Sequence, residues 1–162
     1  MLSVRNATTD DIPLIRELTF RVWPQTYASI LSADQIDYML HLMYSEDSLK
    51  KQFEDGCNFV IVYNDNEPVG FASSQETEPS VFKLHKIYVL PSQQGKGTGR
   101  FLLDHIINEV KEKGGKALQL QVNRFNKAKA FYSKLGFEVI READFDIGNG
   151  YYMNDYVMVK RL

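Results

Sequence analysis

The chain has 162 residues, 44% hydrophobic and 25% charged, the balance of a globular domain with enough core to fold without metal or disulfide staples. Its single cysteine, Cys57, excludes an internal disulfide framework and a cysteine-rich zinc site. A net charge of −2 argues against a general nucleic-acid binder, and no apolar run approaches the ~18 residues that a membrane span needs.

No linker, repeat or low-complexity tract interrupts the sequence, so one domain over residues 1–162 is expected. Met1 to Asn6 holds no apolar signal core, which makes a cytoplasmic protein the default expectation. Leu2 to Ala7 reads as a strand. Thr8, Thr9 and Asp10 offer caps for a helix in which Ile12, Ile15, Leu18 and Val22 recur at helical spacing. Pro24 is expected to break or kink that helix. Ser32 and Gln35 form a capping-box pattern before a second helix with Ile36, Met39, Leu40 and Met43 on its buried face. A third, short helix runs from Ser45 to Glu54, and Gly56 can end it.

Strand chemistry follows. Phe59 to Tyr63 and Pro68 to Ala72 flank an Asn64-Asp65-Asn66 turn, and Val81 to Leu90 is a longer strand. After a glycine-rich loop, Phe101, Leu102, Ile106 and Val110 mark a helix that Gly114-Gly115 ends. Ala117 to Val122 is a strand. Asn126 can cap a helix with Ala128, Phe131 and Leu135, stopped by Gly136. Phe137 to Ile140 and Tyr151 to Val159 are the last two strands. The order after residue 57 is β-β-β-α-β-α-β-β, a mixed α/β sheet with helices packed on it.

The strongest signal is Gln94-Gly95-Lys96-Gly97-Thr98-Gly99-Arg100, set between a strand and an amphipathic helix. Glycines at alternate positions allow φ > 0 and a close backbone approach, and successive N–H groups form an anion nest at the positive end of a helix. A pyrophosphate suits that nest. The segment matches neither the P-loop nor the dinucleotide fingerprint.

It does match Gln-x-x-Gly-x-Gly, at Gln94, Gly97 and Gly99. Here the sequence resembles the acetyl-CoA loop of the GCN5-related N-acetyltransferase (GNAT) superfamily. Leu84 to Pro91 resembles that family's central strand, and Asn123 to Phe137, with Phe131-Tyr132-Ser133-Lys134-Leu135-Gly136-Phe137, resembles its next signature. The resemblance spans most of the chain and is sharpest from Leu84 to Phe137. It implies a GNAT-like acyl-CoA acyltransferase fold, with a central mixed sheet of about seven strands and helices on both faces.

The same resemblance implies an enzyme that moves the acetyl group of acetyl-CoA directly to a primary amine. The thioester would lie where strands Val81–Val89 and Ala117–Val122 splay apart. Backbone groups near Ile87, Tyr88 and Val89 would hold the pantetheine and polarise the acetyl carbonyl. Gln94, Gly95, Lys96, Gly97, Thr98, Gly99 and Arg100 would take the pyrophosphate. Phe131 and either Asn123 or Asn126 would complete the CoA site. Tyr132 resembles the family's tyrosine acid. His85 is a candidate proton relay, since histidine titrates near neutrality; Glu76 and Glu78 are weaker candidates. No metal is implied.

The acceptor wall of the family is built from the first two helices and last two strands, which here contain Trp23, Tyr27, Tyr152 and Asp155. Glu138, Glu142, Asp144, Asp146 and Asp155 are set against one base, Arg141. Acids and aromatic rings suit a small cationic amine. The segment Gly148 to Met158 is loosely similar to bacterial polyamine acetyltransferases. A peptide or protein N-terminus is an alternative acceptor, and a non-catalytic acetyl-CoA-binding module an alternative role. The expected partner is a small-molecule amine, with no nucleic acid and no membrane; a homodimer is left open.

Overall fold

A computed structural model describes all residues from Met1 to Leu162. The elements are β1 (Leu2–Asn6), α1 (Ile12–Tyr27), α2 (Ala33–Tyr44), α3 (Glu46–Glu54), β2 (Asn58–Asn64), β3 (Glu67–Glu78), β4 (Val81–Val89), α4 (Thr98–Glu112), β5 (Ala117–Asn123), α5 (Ala128–Lys134), β6 (Glu138–Gly148) and β7 (Tyr151–Arg161). The expected order after residue 57 is the observed one. No helix is long and apolar enough to cross a membrane.

The seven strands form one sheet in the order β1-β2-β3-β4-β5-β7-β6. Every neighbouring pair is antiparallel except β4 and β5. In β2, the consecutive Phe59, Val60, Ile61 and Val62 are all 0% exposed. Successive strand side chains point to opposite faces, so this run shows that both faces of the sheet are covered.

The helices begin where their caps dictate. Thr8 and Asp11 form a reciprocal capping box ahead of α1. Ser32 Oγ accepts from the Gln35 backbone N–H at the start of α2, and Ser45 Oγ accepts from that of Ser48 at the start of α3. Ile12, Ile15, Leu18 and Val22 of α1 are buried as their spacing predicts.

Two expectations require correction. Pro24 does not end α1, which continues to Tyr27. The N–H that proline lacks would have bonded the carbonyl of Phe20, an exposed residue where water can serve instead. The strand expected to stop at Ile140 runs to Gly148 and makes a long hairpin with β7. Its acids do not form a loop. They alternate with half-buried Ala143, Phe145 and Ile147 along an edge strand whose outer face meets solvent.

Candidate active site

The site arises because β4 and β5 part company. They pair only from Val81–Ala117 to Leu84–Leu120. Beyond that point β4 continues along β3 to Val89, and β5 continues along β7 to Asn123. A bulge marks the divergence. Ser73 lies opposite Lys86 and Ser74 opposite Leu84, which leaves His85 as the extra residue.

The gap is part of a cleft of about 1070 Å³ bordered by α1, α2, β4, the glycine loop, β5, α5 and β7. Leu90 N–H donates to Val69 O of β3. Antiparallel alternation then turns Tyr88 N–H toward β3 as well, and turns the N–H groups of Ile87 and Val89 into the gap. Of the three backbone groups expected to serve there, Ile87 and Val89 are aimed at the gap and Tyr88 contributes its ring.

At one end stands the glycine loop. Gly95 and Gly97 have φ of 78° and 79°, and a Cβ at either would meet no atom within 4 Å. Their left-handed backbone and open surroundings leave room for a close-lying anion at the start of α4. Gly99 departs from the expectation of three left-handed glycines. It lies inside α4, and a Cβ there would meet only Phe131 Cζ, at 3.9 Å. Thr98 is 1% exposed, and its hydroxyl donates to Gln93 Oε1 at 3.2 Å, so its side chain braces the turn. Asn64 Nδ2 donates to the same oxygen. Gln94 and Arg100 border the cleft, whereas Lys96 is exposed outside it.

Asn123, Asn126, Phe131 and Tyr132 form the facing wall. Asn123 Oδ1 accepts from Phe125 N–H, and Asn126 Oδ1 accepts from Ala128 N–H. Both carbonyl ends are engaged in turns. Tyr132 is 8% exposed and packs edge-on against Phe131 and Phe137. Burial, and secondarily Tyr27, push its phenol pKa up.

The other end is aromatic and charged. Trp23 packs against Tyr27, Tyr44 and Tyr88. The Tyr27 and Tyr88 hydroxyls share a hydrogen bond of 3.0 Å. Asp155 is 6% exposed and borders the cleft. Its carboxylate has no hydrogen-bond or ion-pair partner, because the neighbouring Arg124 pairs with Glu142 and Asp144. Burial, against the pull of Arg124 and Lys83, pushes Asp155 up to about 6.

His85 borders the cleft and is bonded at Nε2 to Gln75 Oε1 at 2.9 Å. Burial, with Lys83 and Lys86 alongside, pushes it down to about 4. The ring is open to solvent, which screens that shift, and its place on the cleft keeps the relay as a proposal. Tyr152 stands outside the cleft with 49% of its surface exposed. Glu138, Glu142, Asp144 and Asp146 also face solvent, so Asp155 is the one acid of that group at the cleft.

Three features were not foreseen from the sequence. Gln93 orders the glycine loop, although nothing but its position beside Gln94 hinted at it. Phe125 is 74% exposed at the cleft rim. Gln35 Nε2 donates to Tyr152 O, and Tyr38 Oη donates to Ile147 O, which straps α2 to the β6–β7 hairpin beside the cleft.

A mixed sheet that opens at a bulge beside a glycine-rich helix start defines an acyl-CoA acyltransferase. The chain belongs to the GNAT acetyltransferases: the family model for the acetyltransferase (GNAT) domain matches residues 27–158. It is 37% identical over 120 residues to the [ribosomal protein bS18]-alanine N-acetyltransferase of Haemophilus influenzae, spanning 73% of this chain and 77% of that protein. It is 31% identical over 153 residues to an uncharacterized N-acetyltransferase of Bacillus subtilis, spanning 91% and 86%. The PaiA N-acetyltransferase of Thermoplasma acidophilum, solved with coenzyme A, is 25% identical with a TM-score of 0.83, covering 100% of this chain and 99% of that one. The protein is an acetyl-CoA-dependent N-acetyltransferase.

Proposed function

We propose that the acceptor is a small primary amine, cationic in solution, and that Asp155 receives it. The observation that carries this reading is the unpartnered, 6% exposed Asp155 carboxylate beside the β4–β5 gap. A carboxylate that is largely desolvated, open only toward the cleft and without a hydrogen-bond partner there favours an incoming ammonium. Asp155 then takes the ammonium proton, which leaves the neutral amine free to attack. Trp23 and Tyr27 line the approach of its alkyl stem.

The remaining roles follow the geometry of the cleft. Gln94, Gly95, Gly97, Gly99 and Arg100 hold the pyrophosphate at the start of α4. Asn123, Asn126 and Phe131 flank the donor on the α5 side. The N–H groups of Ile87 and Val89 stabilise negative charge developing on the acetyl oxygen, worth on the order of 3 kcal/mol per donor. Tyr132 donates a hydrogen bond to the departing sulfur. Its raised pKa makes full proton transfer to a thiolate of about 8.5 uphill, so the hydrogen bond is the contribution that counts.

The strap from Gln35 and Tyr38 to the hairpin supports a small acceptor, because it ties the hairpin down at the side of the cleft that Gln35 borders. A polyamine has less support than its acid-rich segment suggested: four acids face solvent, and Lys83 and Lys86 border the same cleft. A second reading, a peptide N-terminus, is favoured by the likeness to the H. influenzae enzyme. Thiol-release assays with short primary amines and with alanine-initiated peptides separate the two. Turnover of small amines, reduced ~10²–10⁴-fold by Asp155→Asn, is expected. Turnover of peptides alone contradicts the proposal.

A further inference from the structure

The mechanism leaves three nitrogen-bearing side chains of β4 without a task. Lys83, His85 and Lys86 gather around the bulge and all border the cleft. Lys83 Nζ donates to the neutral amide of Gln121, His85 pairs with the neutral amide of Gln75, and Lys86 Nζ lies 4.7 Å from the centre of the Tyr44 ring. Neither lysine belongs to an ion pair. The charged and titratable groups around them are Asp155 beside Lys83, and Cys57 with Asp55 behind Lys86. The Cys57 thiol is pushed up by burial and stays neutral. Burial lowers both lysines, Lys86 to about 8.

We infer that Lys83, held by the Gln121 amide, and Lys86, held over the Tyr44 ring, form an anion site, and that the acceptor amine carries a carboxylate that docks there. The inference rests on the acyl-transfer reading of the cleft. Its logic is charge balance. Asp155 is the one acid that faces Lys83 across the cleft, and a bound ammonium neutralises it. Lys83 then loses its nearby counter-charge, and Lys86 has no ion-pair partner in either state, so a carboxylate on the same acceptor supplies the missing charge. An acceptor with a second ammonium meets the lysines as like charges and is rejected. The donor's phosphates do not fill this role. The glycine loop lies beyond Val89, about 20 Å of strand from Lys83 and about 10 Å from Lys86 at 3.3 Å per residue.

The test uses product-like probes. N-acetylglycine, N-acetyl-β-alanine and N-acetyl-4-aminobutyrate are each compared with their carboxamide by calorimetry on the CoA-bound enzyme. At least one acid should bind tenfold or more tightly than its amide. Lys86→Met should erase that preference and Lys86→Arg should keep it. Met removes an uncompensated charge from an apolar setting, so the fold is not at risk. Equal binding of acid and amide at all three lengths overturns the inference, as does a preference that survives in Lys86→Met. The binding result stands apart from turnover: a Lys86-dependent carboxylate preference without acetylation of any primary amine upholds the anion site and refutes the proposed acceptor.

Discussion

Under the proposed function, Asp155 is where stability and activity pull in opposite directions. Folding raises its pKa from 3.8 to about 6, so the native state favours the protonated acid. The stability tied to that preference is fully present below the unfolded value and is lost as pH rises through about 6. Asp155→Asn should therefore stabilise the protein at pH 8 by up to about 3 kcal/mol, with the gain vanishing near pH 3, while acetyl transfer collapses. Urea unfolding at both pH values, beside thiol-release rates, checks this. Tyr132→Phe should lower kcat ~10–10²-fold, the worth of a hydrogen bond to a charged group, with little change in acetyl-CoA affinity; wild-type kcat eliminates the hydrogen bond to sulfur. Asp155 was expected at the acceptor wall with Trp23, Tyr27 and Tyr152, but on resemblance and not on any local pattern that sets it apart from the other four acids. Strand periodicity separates it from Glu142 and Asp144 once the length of β6 is known, but orphaned burial is a tertiary property that no local pattern carries. His85 shows the converse. Its residue type suggested a relay, whereas the bulge that sets it beside two lysines, with the partial desolvation that lowers its pKa, depends on strand pairing that the sequence does not display.

At the scale of elements, the glycine loop was the most legible part of the chain because its chemistry is local. Left-handed backbone at Gly95 and Gly97 is written in the residue type. Gly97→Val puts a branched side chain at φ 79°, at the N-cap of α4 and in otherwise open space. We expect a folded variant whose acetyl-CoA affinity falls at least tenfold by calorimetry; unchanged affinity contradicts the loop's role. The β6–β7 hairpin was less readable. Glu142, Asp144 and Asp146 lower strand propensity and resemble a loop, and only the intervening Ala143, Phe145 and Ile147 betray an edge strand. The strap to α2 joins residues more than a hundred positions apart. Removing it with Gln35→Ala and Tyr38→Phe should cost ~1 kcal/mol per bond and raise the KM of small amines. If those variants instead leave KM unchanged and gain no peptide activity, the strap does not set acceptor size.

The whole molecule turns a sheet defect into a reaction site. Five antiparallel pairings hold the sheet, and the one parallel pairing opens after four residue pairs; under the proposed function, donor and acceptor meet there, where backbone hydrogen bonds are unspent. The central claim is that Asp155 receives the acceptor's proton, and the pH dependence of kcat/KM for a small primary amine tests it most directly. With Asp155 as acceptor, the reactive pair is carboxylate and ammonium. The wild-type profile should then rise through about pH 6 and stay flat until the amine itself titrates near pH ~10. In Asp155→Asn, only the free amine reacts, and the profile should climb with unit slope to the amine's own pKa at much lower rates. A wild-type profile that keeps climbing past pH 7 in parallel with the variant contradicts the account.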